Sequence, residues 1–212
     1  MDLVGLNSFL LRKSRLITYV KAFVLFLIAW FLASNNGEVN YFLFANYLGY
    51  LSFAFISASL MVTPLRIVFP KFPFNSSLVY ARRAIGVSGF VFGLMHYLIQ
   101  LNVWFNWDLS LVLSFNDATG YALSASLIAL FFLFLLAATS FDFFVKKLGK
   151  NWFTLHKLVY LAYPLIIYHA WRVGSDFQSG NLFSISFMFI AFITLILEAL
   201  RLWKTKFEKK VV

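Results

Sequence analysis

Six long runs of apolar residues alternate with short polar segments along the chain. Each run has the roughly twenty residues that an α-helix needs to cross the hydrocarbon core of a membrane. The pattern predicts six transmembrane helices, over residues 16–34, 41–63, 84–103, 121–141, 152–173 and 182–200. We therefore expect an all-α integral membrane protein, a six-transmembrane-helix bundle that forms a single transmembrane domain over residues 1–212.

The composition supports this class. Apolar residues make up 62% of the chain and charged residues 12%, whereas soluble domains have about 45–50% and about 25%. The chain contains no cysteine, which excludes disulfides, iron–sulfur clusters and c-type haem attached through a C-x-x-C-H motif. No small-residue cleavage signature follows the first apolar run, so we expect a retained span rather than a signal peptide.

Basic residues are concentrated on one side of the predicted bundle. Fifteen of the eighteen Lys and Arg residues lie in the two terminal segments and in the connectors after the second and fourth spans. The opposite connectors carry Glu38, Asp108, Asp117 and Asp176. The positive-inside rule then places both termini in the cytoplasm. The net charge of +10 is a topology signal, so we expect membrane lipid rather than nucleic acid around the chain.

All three histidines lie inside predicted spans, His96 in the third and His156 and His169 in the fifth. An ionisable residue inside a membrane is costly and usually functional. With a rise of about 1.5 Å per residue, His96 and His169 reach similar depths in the outer half of the membrane. The pair predicts a haem iron between two imidazoles, a low-spin centre suited to electron transfer. On an ideal helix His156 and His169 are about 140° out of phase, and Pro164 between them is expected to change that phase.

His156 has no histidine partner at its own depth near the cytoplasmic side. Helical periodicity makes Arg82 the group best placed to face it. A protonated arginine is a poor iron ligand but a good partner for a haem propionate or a flavin phosphate. Arg172, three residues after His169, has two interpretations: it pairs with a propionate of an outer haem, or it snorkels at the membrane interface.

Two features have a purely structural interpretation as well. A single intramembrane histidine often only braces neighbouring helices through hydrogen bonds. Gly86, Gly89 and Gly93 form a small-residue face below His96. That face is typical of close helix packing, and it also leaves room for a flat macrocycle against the backbone.

Three segments of the chain resemble a known family: TPLR (63–66), RRAIGVSGFVFGLMH (82–96) and TSFDFFVKKLGKNWFTLHKLVYLAYPLIIYH (139–169). They are similar to the bacterial haem-binding membrane subunits of the MsrQ family, formerly called YedZ, within the ferric-reductase-like transmembrane superfamily. The resemblance covers spans two to six with the same histidine spacing. It implies that a ferric-reductase-like haem bundle occupies about residues 41–203.

The resemblance also implies a function. Members of the family are six-helix b-type cytochromes of the bacterial inner membrane that also bind FMN. They pass electrons from the quinone pool, or from a cytoplasmic flavin reductase, to a periplasmic molybdopterin methionine-sulfoxide reductase that repairs oxidised periplasmic proteins. The chain is then an electron-transfer subunit rather than the catalytic subunit. The cofactors implied are heme b and FMN.

The family's three histidines fall on His96, His156 and His169, and its arginine pair falls on Arg82 and Arg83. Members of the wider superfamily typically bind two haems through four histidines. Arg82 stands where the fourth histidine is expected. A second haem on the cytoplasmic side is therefore in question, and FMN is an alternative occupant there, with the basic inner loops as candidates for its phosphate.

Two other functions compete with this one. The first is a reductase of the same superfamily that acts directly on ferric iron or another small acceptor. The second is a non-redox transporter or scaffold. Proton relays usually recruit carboxylates in mid-membrane, whereas Asp142 and Glu198 lie near the inner ends of spans. Their position disfavours a proton pump.

Overall fold

The computed structural model describes residues 3–114, 117–174, 180 and 182–208, and it is built almost entirely of helices. The helices are α1 Leu3–Ala33, α2 Tyr41–Val68, α3 Asn75–Phe105, α4 Leu109–Ser114, α5 Ala118–Ala138, α6 Asp142–Leu148, α7 Lys150–Leu155, α8 Val159–Val173 and α9 Leu182–Glu208. A 3₁₀ turn, His156–Leu158, joins α7 to α8. The two-residue strands β1 (Ser34–Asn35) and β2 (Glu38–Val39) pair antiparallel.

Five of the described helices are long and apolar enough to cross a membrane. Their membrane-length segments are Lys13–Ala33, Tyr41–Val68, Asn75–Phe105, Ala118–Ala138 and Leu182–Phe207. They correspond to predicted spans one to four and six, which confirms the all-α membrane class. The cytoplasmic location of both termini stays a prediction, and Asp176, Lys209 and Lys210, which entered the charge count, lie outside the described residues.

The fifth predicted span differs from a continuous helix. Residues 152–173 are divided between α7, the 3₁₀ turn His156–Leu158 and α8, which has only 15 residues. Pro164 stays inside α8, so the irregular step lies before the proline and begins at His156 itself. The six-helix count is therefore not reproduced as six uninterrupted spans.

Helices α2 and α3 make the most extensive helix–helix contact among the described elements, followed by α5 and α8. Small residues bring α2 and α3 together. A Cβ at Gly89 would lie 2.8 Å from Ile56 Cδ1, and one at Gly93 would lie 2.8 Å from Ser52 Oγ. The Ser52 hydroxyl donates to the Gly89 carbonyl at 2.8 Å. The glycine face of α3 thus permits close packing on α2, as small-x-x-x-small faces do in membranes.

A buried core joins the two helix pairs. Phe53 of α2, Leu133 of α5, Tyr163 of α8 and Phe187 of α9 are among its members. Within it the Ser57 and Tyr163 hydroxyls lie 2.8 Å apart in a buried hydrogen bond. This core lies between the two helix pairs and sets the distance between them. The candidate site lies beside it.

Asp142, at the start of α6, connects three helices through ion pairs. Its carboxylate lies 3.1 Å from Arg15 Nη1 of α1 and 2.7 Å from Arg83 Nη1 of α3. Hydrogen bonds from Arg15 and from Arg83 hold the pKa of the Asp142 carboxyl below its usual 3.8. The carboxylate is exposed, so each pair contributes little by itself.

We expect the ion pairs of Asp142 with Arg15 and Arg83 to make the free energy of unfolding depend on pH under acidic conditions. Because the pKa of Asp142 is lowered by folding, the stabilisation is fully present above 3.8 and is lost as the pH falls through the pKa of the folded state. Asp142→Asn should remove that part of the pH dependence. The measurement is the thermal unfolding midpoint of the detergent-solubilised chain from about pH 2 to about pH 7.

The control is to make the Asp142→Asn substitution in the Arg15→Gln variant. Its effect on the unfolding midpoint should be smaller there, because one ion-pair partner of the carboxylate is already absent. Identical pH profiles for the Asp142→Asn variant and the unaltered chain would contradict the assignment.

Candidate functional site

A cavity of about 540 Å³ lies among helices α2, α3, α5 and α8, with Phe187 of α9 at its wall. Its volume is in the range of cofactor and ligand pockets, about 300–1,000 Å³. The lining is mostly apolar. Its two histidines are His96 of α3 and His169 of α8, which the sequence predicts as a pair.

The structure brings His96 and His169 together across this cavity. Their ring centroids are 6.4 Å apart, and the ring planes are inclined by 75°. Two imidazoles bound at about 2.0–2.1 Å on opposite sides of a metal, with centroids about 1.2 Å further out, lie about 6.5 Å apart. The observed separation therefore fits one metal ion between the two rings.

Backbone carbonyls hold both imidazoles by the same nitrogen. His96 Nδ1 lies 2.7 Å from the Ala45 carbonyl oxygen of α2, and His169 Nδ1 lies 3.2 Å from the Ala122 carbonyl oxygen of α5. Because a carbonyl only accepts, each Nδ1 carries the proton, and each Nε2 keeps its lone pair. Histidine ligands are oriented in this way in metal sites, where the second ring nitrogen donates to a backbone carbonyl.

Gly49 of α2 leaves room for the His96 ring. A Cβ at this position would lie 3.0 Å from His96 Nδ1 and 3.1 Å from Cε1. The glycine therefore lets the imidazole lie directly against the α2 backbone and reach Ala45. The residues predicted from the sequence do not include Gly49, Ala45 or Ala122. Any residue can supply a backbone carbonyl, so the sequence carries no signal for such a partner.

The two histidines suit a metal whose other ligands belong to a bound cofactor. Within the described ranges, no three His, Cys, Asp or Glu side chains come together around a common point. Two imidazoles across a roomy apolar cavity would suit a haem, whose macrocycle supplies the remaining ligands of its iron. The residues present therefore fit haem in this cavity.

His156 occupies a different environment from the other two histidines. Its ring stacks on Trp152, with centroids 3.8 Å apart and planes inclined by 29°. His156 Nε2 lies 3.4 Å from Thr139 Oγ1, and Trp152 Nε1 donates to the Thr139 carbonyl at 2.9 Å. These contacts fix the start of the fifth span against the end of α5. They do not bring a second histidine to His156.

The predicted inner arginines point mainly to neighbouring helices. Arg82 Nε donates to the Ser59 carbonyl at 3.1 Å, and its Nη1 donates to Thr63 Oγ1 at 2.8 Å, so its side chain is held by α2. Arg83 donates to the Ser140 carbonyl at 3.0 Å and pairs with Asp142. Both guanidinium groups interact electrostatically with His156. The structure therefore places Arg82 near His156 without a direct hydrogen bond between them.

Arg172 lies at the end of α8 with an exposed side chain and is not among the residues that line the cavity. Glu198 of α9 is satisfied locally, because Arg201 Nε lies 2.6 Å from one carboxylate oxygen and the Tyr160 hydroxyl donates to the other at 3.2 Å. Neither residue is part of the paired-histidine site.

Comparison with known proteins gives a consistent result. Residues 48–167 match the family model described as ferric reductase like transmembrane component. The chain is 32% identical over 152 residues to the protein-methionine-sulfoxide reductase heme-binding subunit MsrQ of Agrobacterium fabrum. It is 32% identical over 119 residues to the protein of the same name from Brucella ovis.

The first alignment covers 69% of this chain and 66% of the Agrobacterium protein. The second covers 56% of this chain and 51% of the Brucella protein. The chain thus spans from about half to just under two thirds of the length of these relatives. The family match includes His96 and His156, and His169 lies two residues beyond its end.

Proposed function

Because the chain belongs to the family of ferric reductase-like transmembrane components, we propose that it is a b-type cytochrome subunit that transfers electrons across the bacterial inner membrane. The observation that carries the proposal is the pair of imidazoles in one cavity, 6.4 Å apart and each fixed through Nδ1. Both relatives are named as heme-binding subunits, which supports the same cofactor here. When bound, haem supplies a one-electron carrier.

The residues around the site have two roles, to orient the imidazoles and to exclude water. Ala45 and Ala122 hold the imidazoles in the tautomer that leaves Nε2 free. The apolar wall, with residues such as Phe53 and Leu133, excludes water. His96 and His169 would both bind the haem iron, and an iron without a free position would suit electron transfer rather than chemistry on oxygen or an organic molecule.

The electron partners are part of the proposal. The relatives' name joins a heme-binding subunit to a protein-methionine-sulfoxide reductase, which supports an enzyme of that kind as the acceptor. That this acceptor is periplasmic and carries a molybdopterin cofactor is the expectation from the family resemblance, and we include it in the proposal. The quinone pool or a cytoplasmic flavin reductase is the donor. We assign FMN to the inner end, where Arg82, Arg83 and the stacked His156 are grouped. His156 as a metal ligand and Arg172 as a propionate partner stay predictions.

Replacement of either paired histidine should remove the haem. His96→Ala and His169→Ala each leave one axial ligand, so we expect at most a small residual haem content and loss of the low-spin spectrum. His156→Ala is the matched control, and it should keep the low-spin haem between His96 and His169. The measurement is haem per polypeptide by pyridine haemochrome with a visible spectrum.

Full haem content in both His96→Ala and His169→Ala would show that the pair does not bind the iron. A colourless preparation of the unaltered chain from haem-replete cells would favour a non-redox function.

Gly49→Ala should weaken haem binding without removing a ligand. The new Cβ meets the His96 ring at 3.0 Å, and overpacking of this kind costs about 1–3 kcal/mol. We expect haem to dissociate about tenfold faster or more. Gly86→Ala is the control, since its Cβ would meet the Ser59 side chain, with Oγ at 3.3 Å and Cβ at 3.9 Å, and not a histidine ring. Equal dissociation rates for the two variants would contradict the role of Gly49.

The choice of acceptor can be tested in membranes that contain the chain. With a periplasmic methionine-sulfoxide reductase added, we expect quinol-dependent repair of oxidised protein that disappears in His169→Ala. Reduction of ferric chelates without any repair of oxidised protein would instead support a ferric reductase.

A further inference from the structure

Two amide side chains occupy the level of the α2–α3 contact next to His96. Gln100 lies one helical turn after His96 on α3, about 6 Å further along the axis. Asn46 lies next to Ala45 on α2, whose carbonyl holds His96. Both amides line the cavity. Gln100 Nε2 donates to Asn46 Oδ1 at 3.2 Å, which joins the two helices at this level.

The amide pair is incompletely satisfied. Gln100 Oε1 is out of contact with solvent and has no hydrogen-bond partner within the part of the chain that the structure describes. The hydrogen bond between the amides uses one hydrogen of Gln100 Nε2, so the second hydrogen of that group and the two of Asn46 Nδ2 are the donors that the pair can offer to a ligand. The cavity is the open space that Gln100 adjoins.

The polar groups of the cavity are concentrated at this end. Asn46, Gln100, Tyr97 and Thr119 line it there. The rest of the lining is mostly apolar, and the hydroxyls of Ser52 and Ser126 in it donate to backbone carbonyls. Haem is itself asymmetric, with two carboxylate-bearing propionates on one edge of an apolar ring. A haem bound in the cavity would therefore be favoured with its propionate edge toward the amide pair.

A carboxylate at this end has no cationic partner in the cavity wall. The described lining contains no Lys or Arg, and the exposed Arg172 is not part of it. A carboxylate that lies away from water must then be satisfied by neutral hydrogen-bond donors. Side-chain amides provide such donors.

We propose that the Asn46–Gln100 amide pair binds a propionate carboxylate of the haem held by His96 and His169. Gln100 Nε2 keeps its hydrogen bond to Asn46 Oδ1 and donates its second hydrogen to the carboxylate, and Asn46 Nδ2 donates to the same carboxylate. The inference rests on the proposed function, because it requires haem in this cavity.

The test compares haem with haem dimethyl ester, in which both propionates are methyl esters and carry no charge. The full chain, produced under haem limitation and purified in detergent, is reconstituted with each compound. Release is followed by the visible spectrum after dilution into excess apomyoglobin. Gln100→Leu and Asn46→Leu should release haem about tenfold faster than the unaltered chain, since hydrogen bonds to a charged group are lost. Their effect on release of the ester should be much smaller, since its uncharged carbonyl oxygens accept only weaker hydrogen bonds.

Gln100→Glu is the second variant, and it keeps the side-chain volume. Its carboxylate should repel the propionate and speed the release of haem while leaving the ester bound, which also shows that the variant is folded. Arg172→Gln tests the competing assignment, in which the exposed arginine holds the propionate. If the amide pair binds the carboxylate instead, this variant releases both compounds at the unaltered rates.

Equal haem release from the Gln100 variants and the unaltered chain would overturn the proposal, as would equal acceleration for haem and ester. A selective loss of haem in Arg172→Gln alone would assign the propionate to Arg172. Failure of the unaltered chain to bind either compound would instead overturn the proposed function. Low-spin binding of both with no selective effect at Asn46 or Gln100 would overturn only the amide pair.

Discussion

The site depends on two hydrogen bonds from histidine Nδ1 to backbone carbonyls. Inside a membrane no water is available to satisfy an imidazole, so a protein group must do it. The His96–Ala45 bond joins α3 to α2, and the His169–Ala122 bond joins α8 to α5. These are also the two most extensive helix–helix contacts among the described elements. Each histidine is thus fixed within its own helix pair, and the cavity lies between the pairs.

The two ends of the fifth predicted span have different chemistry. At the His169 end an imidazole faces another across an apolar cavity. At the His156 end the imidazole lies on an indole and touches a hydroxyl. Depth along the helices already separates these histidines in the sequence, since only His169 has a histidine partner at its own level. The contacts of the His156 ring with Trp152 and Thr139 add a difference in local environment.

Part of this arrangement could be predicted from the sequence. Apolar run length identifies the spans, because the membrane imposes it, and depth along parallel helices pairs His96 with His169. The break at His156–Leu158 could not be predicted, since it accompanies contacts of Trp152 and His156 with Thr139 on another helix. Three residues of 3₁₀ helix turn about 60° more than three of α-helix, which reduces the 140° phase difference to about 80°. Helical periodicity predicts that Arg82 faces His156, but it does not predict which groups the side chain binds. In the structure the guanidinium donates hydrogen bonds to Ser59 and Thr63 of α2.

The attachment of each imidazole to its own helix pair has a mechanical consequence. The distance between the two rings equals the spacing of the pairs at that level, since neither ring can move without breaking its carbonyl bond or shifting a helix. Lateral pressure from the surrounding lipid acts on that same spacing. A change in that spacing would change the distance between the two imidazoles, and with it the ligand field at any metal that they hold.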